Sequence, residues 1–329
     1  MNRAADRKSG GHWKKILFLC LFAVLSIVLY MTVNVRFDNS KLFEYAMRLR
    51  SAKVIVMLLV AFSIGAASIV FQSIINNTIV TPCLLGMNSL YSLIHTAVAF
   101  FLGTGSALLV NGNLSFAVDL LLMGVVATFI YSFIFKKTKY NVLYVLLIGT
   151  VLTSFFSSIQ STLVRMMDPN EYETLLVTLV ASFSNVNEEI ILFSALLMAA
   201  VIFFLRRELA VLDVITLGKE QAINLGVDYD RTIKRLLLGV VLFISIATAL
   251  VGPISFLGLI IANLSRQLFK TYRHRCLIIG SALFGIILLI AGQLIVEQVY
   301  TYSIPVSVFI TVGGGIYFLY LLLAQRKRG

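Results

Sequence analysis

Formal charge is scarce in this chain. Asp, Glu, Lys and Arg make up only 13% of its 329 residues, against roughly 25% in a soluble domain. That composition excludes a fold that faces water on every side. Cysteine is scarcer still: Cys20, Cys83 and Cys276 are too few for a disulfide scaffold in so long a chain. Four prolines exclude a collagen-like chain, and 24 Phe with 13 Tyr exclude a disordered one. The three histidines, His12, His95 and His274, are scattered, so no metal cluster is expected. The motifs H-E-x-x-H, G-x-S-x-G, C-x-x-C and the P-loop are all missing. Neither an enzyme nor a cofactor is therefore expected. What remains is apolar: 59% of residues are hydrophobic and the mean hydropathy is +0.95. The chain reads as an all-α polytopic integral membrane protein.

A bilayer core takes about 20 apolar residues per helix, so charge-free stretches mark the spans. The longest, Val54–Val118, must hold more than one helix and breaks at Asn76-Asn77-Thr78-Ile79-Val80-Thr81-Pro82. Another, Leu236–Ser265, breaks at Gly252-Pro253, leaving one full and one short span. A span that short is expected to be buried in protein or to re-enter. Ten helices are expected, over 14–35, 54–73, 84–104, 114–135, 140–164, 188–205, 235–251, 254–266, 276–297 and 304–324, as one transmembrane domain over 1–329. The first apolar run is too long for a signal peptide and lacks a small-residue cleavage site, so it reads as a retained helix.

The net charge of +12 would suggest nucleic acid in a soluble protein; here it reports orientation. With ten spans, both termini share a side, and 21 of the 27 basic residues fall there. Both ends are thus expected in the cytoplasm. Asp119 and Glu297 are the carboxylates nearest to mid-membrane, both close to helix ends on the outer side. They read as interfacial charges that reach water, which leaves no buried carboxylate to couple an ion gradient.

Four groups of residues stand out. Thr150, Thr153, Ser154, Ser157, Ser158 and Ser161 recur at helical spacing and share one face of the fifth span. Such a face suits close helix packing or a mildly polar wall along a path. Arg48, Arg50 and Lys53 break the positive-inside trend, as charges at headgroups or as partners for an acidic protein. Asn76 and Asn77, at the end of the second span, have the chemistry of a cap or turn. The longest inner polar segment, about 209–234, reads as two short helices ending at Gly218 and Gly226. Asp213 is its expected N-cap, and Leu217, Ile223 and Leu225 its expected apolar face. Such helices could dock in a partner's groove or rest on headgroups.

The stretch Asp213-Val-Ile-Thr-Leu-Gly-Lys-Glu-Gln-Ala-Ile-Asn-Leu-Gly-Val227 resembles the coupling loop of the iron–siderophore and vitamin B12 family of ABC-importer permeases, of FecCD type. Within it, Glu220-Gln-Ala222 through Gly226 is similar to the Glu-Ala-Ala-x-x-x-Gly signature of importer permeases. Arg50-Ser-Ala-Lys53 with Gln72 downstream, Asn77-Thr-Ile-Val-Thr-Pro-Cys-Leu-Leu-Gly86, Gly252 to Arg266, and Ile304-Pro-Val to Gly313-Gly-Gly resemble further family blocks, in order, over nearly the whole chain. The resemblance implies that Asp213, Leu217, Gly218, Glu220, Ala222 and Gly226 meet an ATPase subunit. It implies that Arg50 and Lys53, with Arg48 beside them, dock a substrate-binding protein. It also implies that the fifth span lines the path and that Asn76 and Asn77 lie at a cytoplasmic gate.

Three departures accompany the matches. Ala262-Asn263 replaces the family's Pro-His, Asn77-Thr78 replaces Asn-Pro, and Glu297-Gln298 stand where a docking arginine is expected. The last favours a heterodimer with a second, similar permease over a homodimer. The variant around Asn76–Pro82 with Leu90-Tyr91 resembles the branch that handles catechol-type siderophores. The implied machine is two permease chains, two ATPase subunits and an extracytoplasmic binding protein, set in the lipid of a bacterial cytoplasmic membrane. It would import an iron chelate, with haem or cobalamin as the alternative cargo; a stand-alone secondary carrier is the rival of another class.

Overall fold

The computed structural model describes residues 2–35, 40–138, 142–183 and 188–326. Arg36, Lys139, Lys327 and Arg328, which enter the charge asymmetry, lie outside them. Among the described residues every regular element is helical. The order is α1 (Asn2–Thr32), α2 (Ser40–Ile75), a 3-10 turn (Pro82–Leu85), α3 (Met87–Leu102), α4 (Ala107–Val110), α5 (Gly112–Thr138), α6 (Val142–Met166) and α7 (Pro169–Leu179). Then follow α8 (Glu188–Ala210), α9 (Leu212–Ile215), α10 (Lys219–Asn224), α11 (Tyr229–Val251), α12 (Leu257–Phe269), α13 (His274–Gln298) and α14 (Val306–Arg326). Each of the ten expected spans has its helix. Seven helices are long and apolar enough to cross a membrane, and α3, α12 and α14 contribute shorter apolar stretches.

The bundle is organised around α2, where 83% of the most apolar stretch is buried, against 11% in α6. Helices α13, α11, α12 and α8 pack on it; α1 and α14 join through α13, and α5 and α8 through α11. Between apolar helices in lipid there is little hydrophobic drive to associate, so close packing of small residues carries the contact. A Cβ on Gly285 would lie 2.9 Å from the Ala61 Cβ, and one on Gly258 would lie 2.1 Å from the Ser68 hydroxyl. Helices α13 and α12 therefore approach α2 as closely as backbone allows. At 13 residues, α12 is about 20 Å long, too short for a core of about 30 Å. It is buried among α2, α13 and α14, as its length requires.

Two helices were not expected, the single turn α4 and the longer α7. Asp168-Pro169-Asn170-Glu171 opens α7 on the outer side: the Asp168 carboxylate accepts from the Asn170 amide at 2.9 Å, and Pro169 takes the first turn. Aspartate before proline, followed by an acid, is the composition of a helix start, so the signal was present.

Both outer carboxylates overturn their reading as interfacial charges. Asp119 is 3% exposed; the His95 imidazole lies 2.8 Å from it and the Tyr91 hydroxyl donates to it. The other ring nitrogen of His95 lies 3.1 Å from the Thr178 hydroxyl, so this cluster ties α3 and α5 to α7. The Glu297 side chain is 5% exposed and accepts from Lys53 at 2.9 Å, Tyr30 at 2.8 Å and Gln293 at 2.9 Å. Lys53 also donates to the Tyr302 hydroxyl at 3.2 Å. Removing one partner of such a pair strands the other charge in an apolar site. Glu297→Leu or Lys53→Met alone should each cost about 3–5 kcal/mol, and the double substitution should recover most of it. Thermal unfolding of the purified protein in detergent, run as a double-mutant cycle, checks this; additive losses would contradict it.

Candidate functional site

The six hydroxyl residues do share one face of α6, and that face is divided along its length. Thr153 and Ser157, on one edge, are half-buried against the 3-10 turn and α3, where the Ser157 hydroxyl donates to Ser89 at 3.3 Å. A Cβ on Gly86 would lie 2.9 Å from the Thr153 hydroxyl oxygen, so glycine is needed for this approach; its φ of 91° asks for glycine as well. Thr150, Ser154, Ser158 and Ser161 stay exposed. Thr150, Thr153, Ser154 and Ser158 return their hydroxyl protons to carbonyls one turn back, at 2.8–3.1 Å. The result is a weakly polar, uncharged strip on the least buried of the long helices. Packing accounts for one edge and leaves the other open.

At the inner end of α2, Asn76 and Asn77 terminate the helix. Asn76 adopts a left-handed φ of 53°, its amide donates to the Ser73 carbonyl, and the Asn77 amide reaches back to Gln72 at 3.0 Å. That is a Schellman motif with asparagine in the glycine position. The Asn77 side chain then accepts from the Ile79 amide at 2.9 Å, turning the chain away. Two of the sequence departures meet here. Asn263 on α12 donates to the Thr78 carbonyl at 2.8 Å, and Gln72 donates to the same oxygen at 2.7 Å. Arg266 closes the knot through Gln72 at 3.2 Å and Ser73 at 3.0 Å. Of these residues the sequence assigned only the two asparagines to a gate; Gln72 stood in one block and Asn263 with Arg266 in another. The partners of Thr78 were invisible because Asn263 is 185 residues away.

The inner segment folds as two short helices, with corrections in detail. Asp213 is not an N-cap: Val211 holds that position, and Asp213 lies in the first turn of α9. Its carboxylate accepts from the His274 backbone amide at 3.0 Å and pairs with the His274 ring, fastening α9 to the start of α13. Gly218 stands as the N-cap of α10, while Gly226 ends α10. Val227 donates to the Ala222 carbonyl and Gly226 to that of Ile223, a second Schellman motif that explains glycine at φ 81°. Leu212, Ile215 and Ala222 are buried and anchor the segment. Leu217, Ile223 and Leu225 are 57%, 51% and 63% exposed, and Glu220 is exposed. The Lys219–Asp230 pair at 3.0 Å and the Arg235–Glu208 pair at 2.6 Å hold the flanking helices together.

The outer basic cluster splits too. Arg48 is exposed. Arg50 donates to the Tyr30 and Val33 carbonyls, both at 2.7 Å, closing the end of α1. Lys53 is the correction: at 9% exposure and paired with Glu297, it is an internal tie rather than a surface cation. The hydroxyl strip, the inner knot and the short-helix segment lie on separate elements, and α9 packs on α2, α8 and α10 besides its Asp213–His274 tie to α13.

Comparison with known proteins gives a consistent neighbourhood. The model of the FecCD transport family matches residues 11–324. The petrobactin import system permease protein YclO of Bacillus subtilis is 39% identical over 95% of this chain and 98% of its own length. The petrobactin import system permease protein FatC of Bacillus anthracis is 29% identical over 98% of this chain and 91% of its own. Among solved structures, a chain assigned to the metal-chelate type of ABC transporter, in an inward-facing conformation, superposes with a TM-score of 0.78. It covers 95% of this chain and 99% of its own at 22% identity, a likeness of fold.

The Asp213–His274 contact makes a direct prediction. Asp213→Ala should speed backbone hydrogen exchange across 212–217 in the purified protein while leaving exchange in α2 unchanged. Exchange that stays at the wild-type rate would mean that α9 is held by its buried side chains alone.

Proposed function

Because the chain belongs to the FecCD transport family, we propose that it is the membrane-spanning permease subunit of an ATP-driven importer that carries an iron–siderophore complex inward across the cytoplasmic membrane. It hydrolyses nothing itself. The observation that carries this reading is the inner segment: three large apolar side chains are exposed on an anchored pair of short helices. Exposed leucine and isoleucine on a braced surface suit burial in a partner's cleft. An ATPase subunit is the partner that supplies energy to a chain with no nucleotide motif. Asp213, Leu217, Gly218, Glu220, Ala222 and Gly226 are thus assigned to coupling, the exposed side chains as contacts and the glycines and Ala222 as the frame that presents them.

Helix α6 supports the rest. Its uncharged hydroxyl strip is left open in the single chain, as a surface that a second permease chain would face across a path. The absence of fixed charge lets a bulky chelate pass without being held. A heterodimer is favoured because Glu297 and Gln298, in place of a docking arginine, bond to Lys53 and Asn34 of their own chain. The exposed Arg48 is the remaining outer candidate for docking a binding protein. Asn76 and Asn77 are proposed as the inner gate, with the Thr78 knot as the structure that must loosen. The relatives named for petrobactin import make an iron–petrobactin complex the first cargo to test.

Radiolabelled iron uptake in a deletion strain, offered as petrobactin, hydroxamate and dicitrate chelates beside haem and cobalamin, checks the cargo. Uptake of one iron chelate alone is the expected result. Replacing Leu217, Ile223 and Leu225 with Glu should abolish that uptake and the retention of the ATPase on purification. Ser154→Leu with Ser158→Leu should reduce uptake at least severalfold with assembly intact; unchanged uptake would contradict the path assignment.

A further inference from the structure

A groove of about 1,660 Å3 runs along the outside of the bundle between α5 and α11, with Leu197 of α8 at its side. Its wall on α5 is regular. Leu121, Val125, Phe129 and Phe133 recur every four residues and are 58–77% exposed, while Gly124, Thr128 and Ser132 form the row of small residues beside them. Small residues beside large ones on one helix make a channel with a raised edge. Gly124 keeps the channel open, since a Cβ there would meet only a Leu242 methyl at 3.8 Å.

One end of this apolar groove is basic. Lys136 closes the α5 side, and Lys219, Arg231 and Lys234 stand opposite. Two carboxylates answer them: Asp230 pairs with Lys219 at 3.0 Å, and Asp228 with Arg231 at 3.3 Å. Four cations against two acids leave Lys136 and Lys234, both exposed and without an acidic partner among the described residues. Arg231 also lies in the first turn of α11, where the helix dipole is already positive. The helix from Leu121 to Lys136 spans about 22 Å, somewhat more than one leaflet of a core of about 30 Å.

We propose that this groove is a binding site for an anionic phospholipid of the inner leaflet. Its phosphate lies between Lys136 and Lys234, and its acyl chains lie over Gly124 and Thr128. The excess of positive charge at the inner end selects an anion, and the apolar channel leading from it selects acyl chains. The leaflet rests on the orientation proposed above, but the site does not depend on the cargo. Loss of uptake leaves its readout intact, and loss of lipid binding leaves the cargo assignment intact.

The full-length chain, purified in mild detergent and offered mixed micelles of phosphatidylglycerol or phosphatidylcholine, should retain phosphatidylglycerol through native mass spectrometry and release phosphatidylcholine. Lys136→Gln with Lys234→Gln should lower that retention about tenfold or more. Gly124→Leu, which fills the channel and leaves every charge in place, should lower it comparably. The thermal midpoint in phosphatidylcholine should be unchanged for both variants, which separates lost binding from lost folding. Equal retention of the two lipids, undiminished retention by either variant, or a groove covered by another protein chain in the assembled complex would overturn the proposal.

Discussion

The outer end of the bundle depends on one buried ion pair. Lys53 on α2 and Glu297 on α13 are 244 residues apart and meet at 2.9 Å. An isolated charge in an apolar interior costs several kcal/mol, so each requires the other and the hydrogen bonds around it. Tyr30 brings α1 to the carboxylate, and Tyr302 brings the segment before α14 to the ammonium. Arg50, one turn away, closes the carbonyls that end α1. Four stretches of chain thus converge on a single charged contact; elsewhere close packing of small residues is joined by polar ties such as His95–Asp119, the Thr78 knot and Asp213–His274.

The close approaches of α13 and α12 to α2 then explain the two unusual helices. Helix α12 can be too short for the bilayer because it is enclosed by protein, and its inner end is fastened to the turn after α2 through Asn263 and Arg266. Helix α6 can remain so exposed because one edge is fixed by Gly86 and Ser89 while the other faces away from the chain. A rigid centre with one open polar strip and an anchored short-helix segment suits a subunit that is moved by others.

Much of this was legible in the residues. The spans were, because a bilayer demands long apolar runs and the breaks carry Pro, Gly or paired Asn. The hydroxyl face was, because helical spacing alone puts its residues together. Which edge packs was not, since that depends on where Gly86 and Ser89 arrive. Lys53 and Glu297 were misread for the same reason: charges near helix ends look interfacial until their partners across the fold are known. Asp119 was misread in the same way, with its partner His95 on a different helix. Helix α7 was missed although Asp168-Pro169 marked its start; its 11 residues have no long apolar run to draw attention.

The carboxylates of Asp119 and Glu297 bear on how transport is powered. A secondary carrier would use such groups, and both lie within the bundle. Here each is engaged by a cation or imidazole and by neighbouring hydroxyls, as a tie between helices. The central claim is that this chain supplies a path and no energy. It is tested most directly by reconstituting the chain with its partner permease, ATPase and binding protein in proteoliposomes and following entry of a labelled iron chelate. The account predicts entry only with ATP and binding protein present, and none from an imposed proton or sodium gradient; gradient-driven entry without the ATPase would contradict it.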